Sequence, residues 1–266
     1  MSKSLSIFDN QHFKDKIGYR PIGHVTIKIP GTDIVLFKGY NKIILPGAGF
    51  TARCHFDLSR DEITPSYNTK LGLDNTVNEV PSSSTKEKVC LFCVGTDGCG
   101  TEDSDIYVVN YSKWLSPDDM VPFRYVPSEE DLSGDDRTIY YGRKTKDNMV
   151  AYYFKAFETV PTLYQKYSDG TMVTSNVYDL DKTDEINTYV ELKLKIDEND
   201  CKEWFISTTG INDARINTFS LCTAWAKTIN GQIYYQDIRP LTKYNINNEK
   251  LLNITKGLDI TYHIYY

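Results

Sequence analysis

A chain of 266 residues with a net charge of −6, 40% hydrophobic content, 20 tyrosines and 11 phenylalanines can bury one large core and is rich in side chains that suit pleated, half-buried surfaces. Lysine and arginine are scattered singly, so no basic stripe serves a phosphate backbone and sequence-specific nucleic-acid binding is not expected; no apolar run reaches membrane-spanning length, so no span is expected. The first ten residues lack the basic and apolar regions of a secretory leader, so folding in a cytoplasm is expected, and the six cysteines are read as reduced thiols.

Residues 1–22 are polar and aperiodic, with Phe8, Phe13 and Ile17 as isolated anchors, and read as an arm or a short helix packing on a neighbour. From His24 the chain reads as β. Val25, Ile27 and Ile29 alternate, Pro30, Gly31, Thr32 and Asp33 form a turn, and residues 34–37 pair back as a hairpin. Residues 52–63 have no period of two and are expected to form a short helix. Residues 64–87 are rich in Ser, Thr, Asn and Pro and read as a long excursion. A second excursion spans 127–137, where Glu129, Glu130, Asp131, Asp135 and Asp136 cluster. Residues 149–160 read as a strand broken at Ala156. Residues 189–196 carry the clearest alternation, with Val190, Leu192, Leu194 and Ile196 inward and Glu191, Lys193 and Lys195 outward, before a turn at residues 197–200. Leu258, Ile260, Tyr262 and Ile264 alternate with Asp259, Thr261 and His263, so the last segment is expected to pack within a sheet. Long helical periodicity is absent. The expected fold is mainly β: an antiparallel β-sandwich over residues 23–266 with long loop insertions near 64–87 and 127–148 and few short helices.

Chemistry-bearing residues are few. Cys90, Cys93 and Cys99 have a spacing that invites zinc, but strand geometry would send Cys90 and Cys93 to opposite faces, and both lie in the apolar run 89–94. Structural cysteines are the favoured reading. Asp97, Glu102, Asp103 and Asp105 sit among glycines in residues 95–105 without the order of a calcium loop, and read as a solvated turn. None of His12, His24, His55 or His263 stands in a triad context, and His263 reads as a surface or interface residue. The acidic pairs Glu129-Glu130 and Asp135-Asp136 suit a glycosidase only if a cleft holds them, and they read as solvated. Among Trp114, Trp204 and Trp225, an exposed Trp beside Tyr would suit sugar stacking, but Trp204-Phe205-Ile206 and Ala224-Trp225-Ala226 lie in strand-like runs, and core or subunit-interface packing is the favoured reading. No catalytic residue, cofactor site or metal site is assigned, and an enzyme is not expected.

Several segments occur in a recognisable order. Phe37 to Ile44 open it, followed by V-C-L-F-C-V-G-T-D-G-C-G from Val89 and Met120-Val121-Pro122-Phe123-Arg124-Tyr125. Later come Ile211-Asn212-Asp213-Ala214, Thr218-Phe219-Ser220-Leu221, the turn pair Asn230-Gly231, Asp237-Ile238-Arg239-Pro240-Leu241 and the final strand. This order resembles tailed-bacteriophage virion proteins, over about two-thirds of the chain as a loose pattern. A "G-R" usual after the opening strand is replaced by Pro46-Gly47-Ala48-Gly49, and the tyrosine- and asparagine-rich texture resembles the crAss-like phages of gut Bacteroidota. The resemblance implies a non-enzymatic virion subunit made in the host bacterial cytoplasm, forming an oligomeric ring or adaptor in the head-tail connector or tail. Its implied partners are copies of itself and portal, neck, tail or fibre proteins. The alternative is a carbohydrate- or receptor-binding tail protein of the fibre or baseplate.

Overall fold

The computed structural model describes residues 22–42, 87–96, 99–102, 105–108, 120–159, 161–167, 169–175, 185–229, 232–245 and 252–265. All of the arm but Ile22, the helix expected at 52–63 and all but the end of the first excursion lie outside these residues, as do His12, His55, Cys54, Asp97, Asp103 and Trp114.

The chain is mainly β, built on two antiparallel sheets with few short helices. The six-stranded sheet has the order β11 (Met172–Ser175), β10 (Thr162–Tyr167), β12 (Glu185–Ile196), β17 (Leu258–Tyr265), β1 (Ile22–Lys28), β2 (Val35–Lys42). The seven-stranded sheet has the order β15 (Gln232–Asn245), β14 (Thr218–Ile229), β3 (Glu87–Gly95), β9 (Met149–Ala156), β7 (Arg124–Pro127), with β6 (Met120–Val121) on β3 and β8 (Tyr140–Lys146) on β9. Thus part of the insertion expected near 127–148 is a sheet strand, β8, preceded by 3-10 turns at Ser128–Glu130 and Gly134–Thr138.

Alternation explains which strands sit at the centre. β12 and β17 pair from Tyr189 with Tyr265 to Ile196 with Leu258, and β17 pairs on its other side with β1. Leu258, Ile260, Tyr262 and Ile264 are buried together with Val190, Leu192, Leu194 and Ile196 and with Val25 and Ile27. They meet Phe92, Phe123, Tyr152, Phe219 and Leu221 of the other sheet in one core. Phe219 meets Tyr262 edge-on, with ring centroids 5.9 Å apart. Each such side chain contributes about 1.5–3 kcal/mol on burial, so the inter-sheet layer dominates stability. Entry into β17 depends on Gly257, at φ +73, where a Cβ would stand 2.6 Å from the carbonyl oxygen of Ile196.

Two local expectations are corrected. Trp204-Phe205-Ile206 lies in a short helix, α1 (Lys202–Ser207), instead of a strand; Phe205 is buried, Trp204 half-buried and Ile206 exposed. Cys90 and Cys93 share a face. Thr223 opposes Val89 and Cys222 opposes Leu91, so Cys90 is the extra residue of a bulge that resets the alternation. Both cysteines pack in a second cluster on the outer face of the seven-stranded sheet, with Leu91, Met120, Tyr153, Phe154 and Cys222.

Candidate functional site

Three places in the fold gather polar or unusually exposed side chains. The first is the outer face of the six-stranded sheet. Because β1, β10, β12 and β17 bury every second side chain, the intervening ones form rows across the strands. One row holds Tyr164, Tyr189 and Tyr265: Tyr164 and Tyr189 stack at 4.7 Å with 9° between ring planes, and Tyr265 lies 5.0 Å from Tyr189. The next row holds Glu191, His263 and His24. His263 Nε2 lies 2.9 Å from Glu191 Oε2, and the two imidazoles stack at 6.3 Å. Burial, then His263 and Lys38, lower the His24 pKa; at Glu191 burial acts upward, but His263 and Lys193 outweigh it and the pKa falls. His263 is therefore a half-buried, paired group on this face, in keeping with the outward position read for it.

The second place is the β1–β2 hairpin. Gly31 at φ +68 and the Thr32 hydroxyl, which donates to the Ile29 carbonyl at 2.9 Å and accepts from the Ile34 amide at 3.2 Å, close the turn. Beyond it Ile34, Val35 and Leu36 are 56%, 40% and 42% exposed, a continuous apolar run at the start of an edge strand. A polar cleft of about 500 Å³ lies alongside, lined by Lys28, Asp33, Glu158, Lys193, Lys195 and Asp259 among others. Its lysines are matched by carboxylates: Lys28 to Asp33 at 3.7 Å, Lys195 to Glu158 at 3.2 Å and to Asp197 at 3.1 Å, and Lys193 to Glu191 at 3.4 Å. Such pairing leaves no concentrated field for an anionic ligand.

The third place is a charged cluster between the sheets. Lys155 on β9 is 3% exposed and donates to Asp200 and, at 2.7 Å, to Asp197. Asp200 also accepts from the Tyr140 hydroxyl at 2.7 Å and from the Asp197 amide at 2.8 Å. Burial raises the Asp200 pKa against the opposing pull of Lys155 and Tyr140, and burial raises that of Tyr140 beyond any working pH. Lys155 and Asp200 are both buried and Asp197 is half-exposed, and the cluster ties the seven-stranded sheet to the turn after β12. A neighbouring set does similar work: Tyr152 donates to Asp131 at 2.6 Å, Arg143 reaches Asp131 at 3.0 Å, and Arg137 bonds the Tyr152 hydroxyl. Burial, then the bond to Asp131, push the Tyr152 pKa up to about 12.

The acids singled out in sequence are dispersed. Glu129, Glu130, Asp135 and Asp136 are exposed on the 3-10 turns, with Asp136 3.8 Å from Arg124. Asp131 is the member of that stretch held in a network. Residues 99–102 and 105–108 pair as a small hairpin, β4 (Cys99–Glu102) with β5 (Asp105–Val108), where a solvated turn was expected. Among the described residues no group of three or more His, Cys, Asp or Glu is arranged to hold a metal ion, and no helix is long and apolar enough to cross a membrane. Sequence reasoning missed the Lys155 cluster, whose members lie 42 and 45 positions apart, and the tyrosine row. Comparison with models of protein families, with curated proteins and with solved structures finds no match.

Proposed function

We propose that the chain is a non-enzymatic structural subunit of a tailed-bacteriophage virion, packing in repeated copies as a ring or adaptor in the head-tail connector or tail. The observation that carries this reading is the apolar run Ile34, Val35 and Leu36, exposed at the start of an edge strand of the six-stranded sheet. Soluble chains blunt such edges unless a neighbour covers them. The order of sequence segments that resembles phage virion proteins agrees with it, as does a Tyr-rich surface suited to interfaces. The polar clusters at Lys155 and Asp131 fit a load-bearing role, since they cross-link separate elements of the fold.

The alternative of a carbohydrate-binding tail protein needs a ring face open to a sugar. Tyr189 stacks one ring face on Tyr164 and has Tyr265 as a second ring neighbour, which makes that row a brace within the sheet. Mass spectrometry and electron microscopy of purified particles carrying the gene provide the test. The chain should be present at fixed stoichiometry as a ring or adaptor, and its absence from purified particles overturns the reading.

A further inference from the structure

Resting on the assembly reading above, we propose that copies join head to tail by pairing the β2 edge of one with the β11 edge of the next, continuing the six-stranded sheet from subunit to subunit. Strand direction carries the first step. All five pairings in this sheet are antiparallel. Five reversals leave its two outer strands, β2 and β11, running in opposite senses. A copy laid beside another in the same orientation therefore brings β11 against β2 as one more antiparallel pair, the geometry that edge addition favours. A sheet with an odd number of strands would offer a parallel joint instead.

Exposure carries the second step. Among the described residues no strand lies beyond β2 or beyond β11. Both edges present large apolar groups to solvent: Val35 and Leu36 at one, and Met172, 53% exposed, at the other. The bulge at Leu36, where Lys28 opposes Val35 and Ile27 opposes Phe37, interrupts the ladder with β1 at the same two residues whose apolar side chains are exposed, Val35 and Leu36.

Charge decides between this joint and a twofold one. β2 reads V-L-F-K-G-Y-N-K, with two lysines and no carboxylate, so two β2 edges brought together would oppose like charges. β11 reads M-V-T-S and carries no charge, so it meets β2 without that repulsion. A twofold β2 dimer would also leave Met172 bare. A head-to-tail joint uses both edges and repeats, closing into a ring when the rotation permits.

Crossed variants test the joint on the full purified chain. V35K with L36K blocks one edge, and M172K with T174K blocks the other; all four side chains are exposed, so each protein should keep the parent melting temperature. By sedimentation velocity the parent should form oligomers, each variant alone should be monomeric, and an equimolar mixture should give a 1:1 dimer that grows no further. A misfolded variant would announce itself by a lowered melting temperature, and V35E with L36E or M172E with T174E then replaces it. The proposal is overturned if blocking the β11 edge leaves assembly intact, if the mixture of folded variants stays monomeric, or if the parent itself is monomeric at every concentration. Each of these results leaves the particle-based test of the virion reading standing, so the two can fail separately.

Discussion

The outer faces of the two sheets are built in opposite ways. On the seven-stranded sheet, Leu91, Cys93, Phe154 and Cys222 are wholly buried within the chain, and Met120 and Ala224 nearly so. On the six-stranded sheet, the corresponding side chains are Tyr164, Tyr189, Glu191, His24 and His263, half-buried and linked by stacking and one His–Glu contact. An apolar face demands a cover from its own chain, whereas a face of tyrosines and paired charges tolerates water and a partner alike. The contrast places the fully covered apolar layer on the seven-stranded side and a half-buried polar one on the six-stranded side.

The largest effect should come from removing residues 258–266, because β17 lies between β12 and β1 and carries Leu258, Ile260, Tyr262, Ile264 and Tyr265, all buried. At about 1.5–3 kcal/mol per buried side chain, the loss approaches the ~5–15 kcal/mol stability of an ordinary domain. No folded protein should be recovered by circular dichroism, and a cooperative melt in the truncated chain would refute the central place of β17. Phe154→Ala on the covered face should cost about 3–5 kcal/mol in urea unfolding, as expected for a wholly buried ring. Between the sheets, Lys155→Met should cost about 3–5 kcal/mol, since it strands the Asp200 carboxylate without its cation. Adding Asp200→Leu should restore most of that loss, and a double variant as unstable as the sum of the singles would count against a mutual charge brace.

On the open face the same chemistry should matter less. Tyr164→Ala should cost about 0.5–1.5 kcal/mol from the lost stack, and a cost equal to that of Phe154→Ala would erase the contrast. The smallest effect is a pH dependence. His24, faced by His263 and Lys38, has its folded pKa below the ordinary 6.5, so protons bind the unfolded chain more readily. Its contribution to stability is complete above about pH 6.5 and is lost as the pH falls toward the folded value. Glu191 follows the same sign lower down: its depressed pKa stabilises above the ordinary 4.5 and is lost in acid. Melting temperature should begin to fall below about pH 6.5, and His24→Asn should flatten the upper part of that decline.

Strands with one buried face were legible because alternation survives in the sequence. β12, β17 and the β1–β2 hairpin follow from the spacing of Val190 to Ile196, Leu258 to Ile264, and Val25 with Ile27 around the Gly31 turn. What was not legible depends on irregularity or distance. α1 is six residues long, too short for a helical period, and its N-cap Cys201 sits at φ 62 with no side-chain cap, so neither signal marks it. The bulge at Cys90 inverts every facing read through it, which is why Cys90 and Cys93 share a face. The Lys155 brace requires knowing that β9 and the turn after β12 meet. Nor does the sequence say that β2 and β11 are the outer strands, which only the strand order reveals.

The bulge has a further consequence. It gathers Cys90 with Cys93 and Cys222, whose sulfurs lie 3.8 Å apart, beneath the cover of the seven-stranded sheet, where burial and then Cys93 hold the Cys222 thiol well above its usual pKa. A thiol so placed reacts with an alkylating reagent only when the cover lifts. Labelling of Cys222 thus works as a clock on the opening of that one face, reading its lifetime separately from global unfolding.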